Sequence, residues 1–230
     1  MSDTKVSIET TTYKVKKCWI NRICSGWINF IRFIFEFFIY RDKVKKTVTK
    51  IENSLLLEPS TAIALKIRTR QVSCVDVVTA FITRIEEINP MVNCMVQNKY
   101  LDALKEARSV DEMLSSCLLS DDELKEQKPF LGVPITIKNS IQIEGIPNTS
   151  GSYYRQNIPS ESDARVIQQL RNAGAIILGL TNTPELCLSW ETSNYLYGRT
   201  SNPYDLNRSC GGSSGGEAAI LVSLNRIDIE

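Results

Sequence analysis

The run Ala175-Ile-Ile-Leu-Gly-Leu-Thr181 decides the fold class. It is apolar throughout, which is typical of a strand buried on both faces in a parallel sheet. A helix is predicted directly before it, over Asp163–Ala173, ending at Gly174. Gly132–Lys138 carries a second strand signal. Because strands and helices alternate, residues 50–230 are predicted to form an α/β domain with a mixed β-sheet flanked by helices.

The remaining elements are predicted from periodicity and capping residues. Ser73 is expected to cap a helix that buries Val77 and Ile85 and stops before Pro90. The acidic, lysine-rich stretch Ser120–Lys128 is expected to be a surface loop. Further predictions are a strand over Met91–Val96, helices over Tyr100–Cys117 and 183–190, a polar loop over Asn194–Ser209, and a helix from Gly215.

The composition excludes several classes of function. The chain has 230 residues and a net charge of +1, so nothing favours bulk binding to nucleic acid. It contains no histidine, which excludes a Ser-His-Asp triad, a Cys-His pair and the common zinc sites within the chain. We expect no metal and no cofactor. The seven cysteines are widely spaced and form no CxxC pair, so reduced thiols in a domain facing the cytosol are expected.

The N-terminal segment differs from the α/β domain. Residues 1–17 are polar and basic, and a flexible tail is expected there. Residues 18–46 are predicted to contain an amphipathic helix with Arg22 and Glu36 on its polar side and Trp27 among the apolar side chains opposite. Charges interrupt the apolar run, so we expect a helix that lies on a membrane surface. The alternatives are a short membrane span and a helix that covers a soluble core.

Gly211-Gly-Ser-Ser-Gly-Gly-Glu217 is the segment that most indicates chemistry. A phosphate-binding P-loop needs a lysine and a hydroxyl residue after the glycines, and these are missing, so we expect no nucleotide binding. A nucleophile elbow needs a histidine. Ser214 and Glu217 have capping-box spacing, which predicts that Ser214 caps the next helix. Ser213 is then unassigned, and Lys138 at the end of an apolar strand is a candidate base for it, because burial favours a neutral amine.

Five motifs follow one another along the chain: Gly132–Lys138, Gly145–Gly151, Thr181–Glu185, Gly198–Pro203 and Gly211–Gly216. Their order resembles the amidase signature family, and in particular its type 2 fatty-acid amide hydrolase branch. The resemblance implies the N-terminal part of the amidase signature fold and a Ser-Ser-Lys triad. By motif, Lys138 is the base, Ser213 is the bridging serine held by a cis peptide bond, and Ser214 is a supporting residue. Cys187 falls where that branch lines its acyl or acceptor pocket.

The resemblance also implies what this sequence lacks. The family's nucleophilic serine lies in a second glycine-rich segment, Asp-x-Gly-Gly-Ser, whose backbone amides form the oxyanion hole. The residues after Ser213 contain no such segment. We therefore expect a C-terminally truncated hydrolase of non-peptide fatty-acid amide bonds that is inactive by itself. The alternative is a non-catalytic interaction or regulatory fragment of the full-length enzyme. The partners expected are a lipid amide substrate, a membrane surface and a second copy in a homodimer.

Overall fold

The chain divides into two compact units, Met1–Val44 and Lys45–Glu230. The structure is a computed structural model that describes residues 24–34, 37–38, 45–116 and 119–224. In the first unit, the described residues are helical and their large apolar side chains are exposed. The predicted tail lies outside the described residues, as do residues 18–23, 35–36 and 39–44 of the predicted amphipathic segment. Among the residues that are described, no helix has the length and apolar character needed to cross a membrane.

A three-stranded mixed sheet forms the centre of the second unit. Its strands are β1 Met95–Asn98, β2 Pro134–Lys138 and β3 Ile176–Thr181, in the order β1-β3-β2. Strand β3 runs parallel to β2 and antiparallel to β1. All six residues of β3 are buried, which confirms the predicted buried strand.

Helices and short hairpins surround this sheet. The helices are α1 Ser60–Arg68, α2 Cys74–Val92, α3 Tyr100–Ser116, α4 Asp121–Gln127, α5 Arg165–Asn172 and α6 Gly215–Leu224. The hairpins pair β4 Ser193–Asn194 with β5 Gly198–Arg199, and β6 Ser201–Asn202 with β7 Asp205–Ser209. Single 3₁₀ turns are Ser54–Leu57, Tyr153–Arg155 and Glu185–Cys187.

The two faces of the sheet carry separate apolar clusters. On one face, α2, α3 and α6 pack together over Leu178, with Ile85 and Ile88 of α2 fully buried. On the other face, Ile167 of α5 packs against Leu180 in a smaller cluster. Burying an isoleucine side chain contributes roughly 1.5–3 kcal/mol, so the buried isoleucines of α2 stabilise the fold. The α/β class with a mixed sheet flanked by helices is therefore confirmed.

The end of α2 differs from the prediction. The helix continues past Pro90 to Val92, so the predicted stop before Pro90 is wrong. A proline in the last turn removes only one helical hydrogen bond. The helix ends where Asn93 adopts a left-handed conformation with φ 55°, its N–H donating to the Asn89 carbonyl at 2.8 Å. Because Met91 and Val92 are helical, the predicted strand begins only at Met95.

The predicted surface loop Ser120–Lys128 is also wrong, because α4 occupies it. The Ser120 hydroxyl accepts from the Glu123 N–H at 3.3 Å, and the Glu123 carboxylate accepts from the Ser120 N–H at 2.8 Å. This capping box fixes the start of the helix. Leu124 is buried, and the buried guanidinium of Arg68 in α1 donates to Asp121 at 2.8 Å. The prediction was wrong because it considered only the high density of charged residues and not the capping residues Ser120 and Glu123.

The segment before the glycine loop, residues 183–209, differs from the prediction in two ways. A helix over 183–190 is wrong, since only the turn Glu185–Cys187 forms there. Leu186 and Cys187 have φ of 49° and 61°, which a helix does not accommodate. The predicted polar loop Asn194–Ser209 contains the two hairpins instead. Two-residue strands have too little alternation to be read from sequence.

Candidate active site

The end of β2 meets the segment that precedes α6. The Lys138 amine donates to the Ser213 hydroxyl at 2.9 Å and to the Ser214 hydroxyl at 3.0 Å. Lys138 and Ser213 are half-buried, and Ser214 is exposed. Three of the predicted site residues are thus in direct contact at the carboxyl end of a strand. A half-buried lysine beside two hydroxyls is placed to exchange a proton with either of them.

Glycines allow the serine segment to approach its neighbours closely. Gly211 has φ 83°, a left-handed conformation that favours glycine. A Cβ atom on Gly215 would lie 2.2 Å from Thr192 Oγ1, and one on Gly216 would lie 2.5 Å from the backbone of Asn182. Any larger residue at Gly215 or Gly216 would displace the start of α6. The Gly212–Ser213 peptide bond is cis, in agreement with the implied bridging-serine geometry.

The start of α6 is not capped by Ser214, so the predicted capping box is wrong. The Gly215 N–H donates to Thr192 Oγ1 at 3.0 Å, and the Gly216 N–H donates to the Asn182 carbonyl at 3.2 Å. Ser214 Oγ instead accepts from the lysine, and the Glu217 carboxylate accepts from threonine hydroxyls of two strands. Neighbouring elements therefore satisfy the first N–H groups that a helix leaves free.

Cys187 lies at the edge of the site. Its Sγ is 3.2 Å from Thr183 Oγ1, and the same hydroxyl donates to the Ser213 carbonyl at 3.1 Å. The carbonyl oxygen of Ser189 and the carbonyl carbon of Trp190 pack against Gly212, 3.0 Å from the position of a Cβ atom. Thr183 therefore links Cys187 to Ser213. The role of Cys187 in lining a pocket stays a prediction.

Residues 76–225 match the Amidase family. The chain belongs to this family. It is 45% identical over 178 residues to fatty-acid amide hydrolase 2 of Homo sapiens and 46% identical over 171 residues to fatty-acid amide hydrolase 2-A of Danio rerio. These alignments cover 77% and 74% of this chain but 34% and 32% of the relatives, so the chain spans about a third of their length. A solved fatty acid amide hydrolase matches with a TM-score of 0.69 at 25% identity, covering 75% of this chain and 29% of that chain.

These similarities confirm the predicted family and the resemblance to its fatty-acid amide hydrolase branch. The solved structure also supports the amidase signature fold for the described α/β unit. Reduced cysteines were expected. In the described parts of the two units, five cysteines have free thiols, in agreement with that expectation: Cys24, Cys74, Cys94, Cys187 and Cys210.

The candidate site contains buried polar residues that the sequence analysis did not assign to it individually. Thr181, Asn182, Thr183 and Thr192 are fully buried around the serine segment. A signal for the first three was present, because Thr-Asn-Thr stands at the end of the buried apolar run. Sites in α/β folds form at the carboxyl ends of parallel strands, where Thr181 lies in register with Lys138.

Proposed function

We propose that this chain supplies the proton-transfer half of an amide-hydrolysing site that acts on non-peptide C–N bonds of fatty-acid amides. The observation that carries the proposal is the 2.9 Å contact between the Lys138 amine and the Ser213 hydroxyl. Its support is membership of the Amidase family and the 45% identity to a fatty-acid amide hydrolase.

In the proposed mechanism, Lys138 acts as the base and Ser213 as a relay. When a nucleophilic serine attacks the amide carbonyl, its proton passes to Ser213, and the proton of Ser213 passes to Lys138. When the C–N bond breaks, the same path returns a proton to the leaving amine. Ser214 supports the lysine through its 3.0 Å contact. Water then breaks the ester between the acyl group and the nucleophilic serine, and the proton that the water loses returns to that serine along the same path, so protons balance at each stage.

In the proposed mechanism, the nucleophilic serine belongs to the family's Asp-x-Gly-Gly-Ser segment. No Asp-x-Gly-Gly-Ser segment occurs in residues 1–230. We therefore propose that 1–230 alone hydrolyses no fatty-acid amide. Turnover by purified 1–230 that disappears in Lys138→Ala would contradict this proposal.

A chimera tests the proposed activity. Residues 45–224 replace the matching segment of human fatty-acid amide hydrolase 2, which supplies the remainder of its own domain. We expect the folded chimera to hydrolyse a fatty-acid amide and Ser213→Ala to lower kcat by about 10²–10⁴-fold. A monodisperse chimera without activity would contradict the proposal.

We also propose that the N-terminal helical segment holds the chain on a membrane surface, with the α/β unit facing the cytosol. The supporting observation is a broad exposed apolar face, whose side chains include Trp27, Ile28, Phe30, Ile31, Phe33, Ile34, Phe37 and Phe38. At 100° per residue, Asn29 and Arg32 lie on the opposite side. Amphipathic helices of this kind bury the apolar face at the headgroup boundary.

Vesicle flotation tests the membrane proposal with a matched pair of charge substitutions. Ile31→Glu places a carboxylate on the apolar face, and Asn29→Glu places the same charge on the polar face. Losing the burial of one isoleucine corresponds to about tenfold weaker binding for Ile31→Glu. Equal binding of both variants to vesicles of phosphatidylcholine and phosphatidylserine would contradict the proposal that this segment binds a membrane surface.

A further inference from the structure

Glu217 connects the first turn of α6 to two strands of the sheet. Its Oε2 accepts from Thr136 Oγ1 of β2 at 2.8 Å, and its Oε1 accepts from Thr181 Oγ1 of β3 at 2.8 Å. Both carboxylate oxygens are therefore engaged, each by a different strand. Hydrogen bonds to a charged acceptor are stronger than neutral ones, so this double contact holds the side chain firmly.

Both threonines lie next to Lys138. Thr136 precedes Lys138 by two positions on β2, which puts the two side chains on the same face of the sheet. Thr181 is the register partner of Lys138 on the neighbouring strand. Glu217 follows Ser214 by three positions, a spacing that places neighbours on one face of a helix. The Glu217 carboxylate thus holds the N-terminal end of α6, next to Ser214, beside Lys138.

Other contacts hold the backbone of α6 but not its distance from β2. The N–H groups of Gly215 and Gly216 bind Thr192 and Asn182, neither of which belongs to β2. Within the described residues, the bond from Thr136 is the only side-chain hydrogen bond between β2 and α6. Without this bond, only the Lys138 hydrogen bonds to Ser213 and Ser214 would join side chains of β2 to the serine segment among the described residues, so the distance between them would be less firmly set.

We infer that Glu217 is a positioning residue that sets the distance from the Lys138 amine to the Ser213 and Ser214 hydroxyls. Its functional meaning rests on the proposed role of the lysine–serine pair. The structural claim is separate, because it concerns a distance that exists without substrate. The test below therefore measures that distance in the 1–230 chain and does not use hydrolysis.

Nuclear Overhauser effects between the Lys138 Cε protons and the Ser213 Cβ protons report the contact directly. Glu217→Gln keeps the shape but replaces one acceptor with a donor. If the distance from Lys138 Nζ to Ser213 Oγ rises from 2.9 Å to about 3.5 Å, where a hydrogen bond is lost, the two sets of protons move apart by a similar amount. For protons roughly 4–5 Å apart, the sixth-power distance dependence then lowers the signal by about twofold. We expect that loss, with the amide shifts of α4 unchanged, because no residue of α4 contacts Glu217. Glu112→Gln on the exposed face of α3 is the control and leaves the signal unchanged.

A second pair of variants keeps the inference falsifiable if Glu217→Gln does not fold. Thr136→Val removes the hydroxyl at nearly constant shape, and Thr136→Ser retains it. We expect the signal to fall in Thr136→Val and to persist in Thr136→Ser, which separates the hydrogen bond from side-chain packing. An unchanged signal in folded Glu217→Gln, or equal signals in the two Thr136 variants, would overturn the inference.

Discussion

Gly216→Ala tests whether close packing of α6 against the Asn182 backbone fixes the site. In a solvent-exposed helix, glycine to alanine stabilises by about 0.5–1 kcal/mol. Here the new Cβ would lie 2.5 Å from the Asn182 N and O atoms, where ordinary contact starts at 3.4 Å. The helix must therefore shift by close to an ångström, and overpacking of this kind costs about 1–3 kcal/mol.

The shift also weakens the bond from the Gly216 N–H to the Asn182 carbonyl, now at 3.2 Å, which contributes about 1 kcal/mol. The helix-propensity gain offsets part of this, so Gly216→Ala should lower the free energy of unfolding by about 1–3 kcal/mol. The sign is opposite to that expected from propensity alone.

Pulse proteolysis across a urea series, at submicromolar protein, measures this change without interference from aggregation. With a slope of about 2 kcal/mol/M, the urea midpoint of the α/β unit falls by about 0.5–1.5 M. Gly26→Ala is the control, because Gly26 lies in a helical segment with nothing within 4 Å of its Cβ position. An unchanged or higher midpoint for Gly216→Ala would refute the packing argument.

Three further predictions use the same unfolding assay. Arg84→Met should lower the free energy of unfolding by about 2–4 kcal/mol, because buried Arg84 donates to the Ser223 carbonyl and Met leaves that acceptor unpaired. The control, Arg108→Met on the exposed face of α3, should change the free energy of unfolding little. Burial raises the pKa of the Cys74 thiol from 9.0 to about 12. The folded state therefore retains a proton that the unfolded state releases, and stability should fall from about pH 9 toward pH 12 by up to about 1.4 kcal/mol per unit, a slope that Cys74→Ala reduces. Ser120→Ala should cost about 1 kcal/mol by removing the cap of α4, and an unchanged midpoint would contradict that capping role.

The sequence predicted the elements with strong periodicity. Strand β3 was found because it is an uninterrupted apolar run, and helix α2 because its apolar residues recur at helix spacing. The contact between Lys138 and Ser213 was anticipated from the order of the motifs, although the two residues are far apart in the chain. Family resemblance supplied that pairing, since residue types and spacing left Lys138 as one candidate base.

What the sequence did not predict depends on tertiary contacts. Glu217 has the spacing of a capping residue, but threonine hydroxyls of two strands bind its carboxylate instead. Thr192 is distant from α6 in sequence and yet satisfies its first N–H group. The left-handed conformations of Leu186 and Cys187 ended a predicted helix for which local propensity gave no warning. In each case a partner outside the local window decided the structure.

The most direct test of the central claim is the hydrolysis of a fatty-acid amide by the chimera that carries residues 45–224 of this chain, with and without Lys138→Ala. The account predicts that Lys138→Ala lowers kcat by about 10²–10⁴-fold in a folded chimera. It also predicts that Lys105→Ala, on the exposed face of α3, leaves kcat unchanged. Full activity of the Lys138→Ala chimera would contradict the assignment of Lys138 as the base.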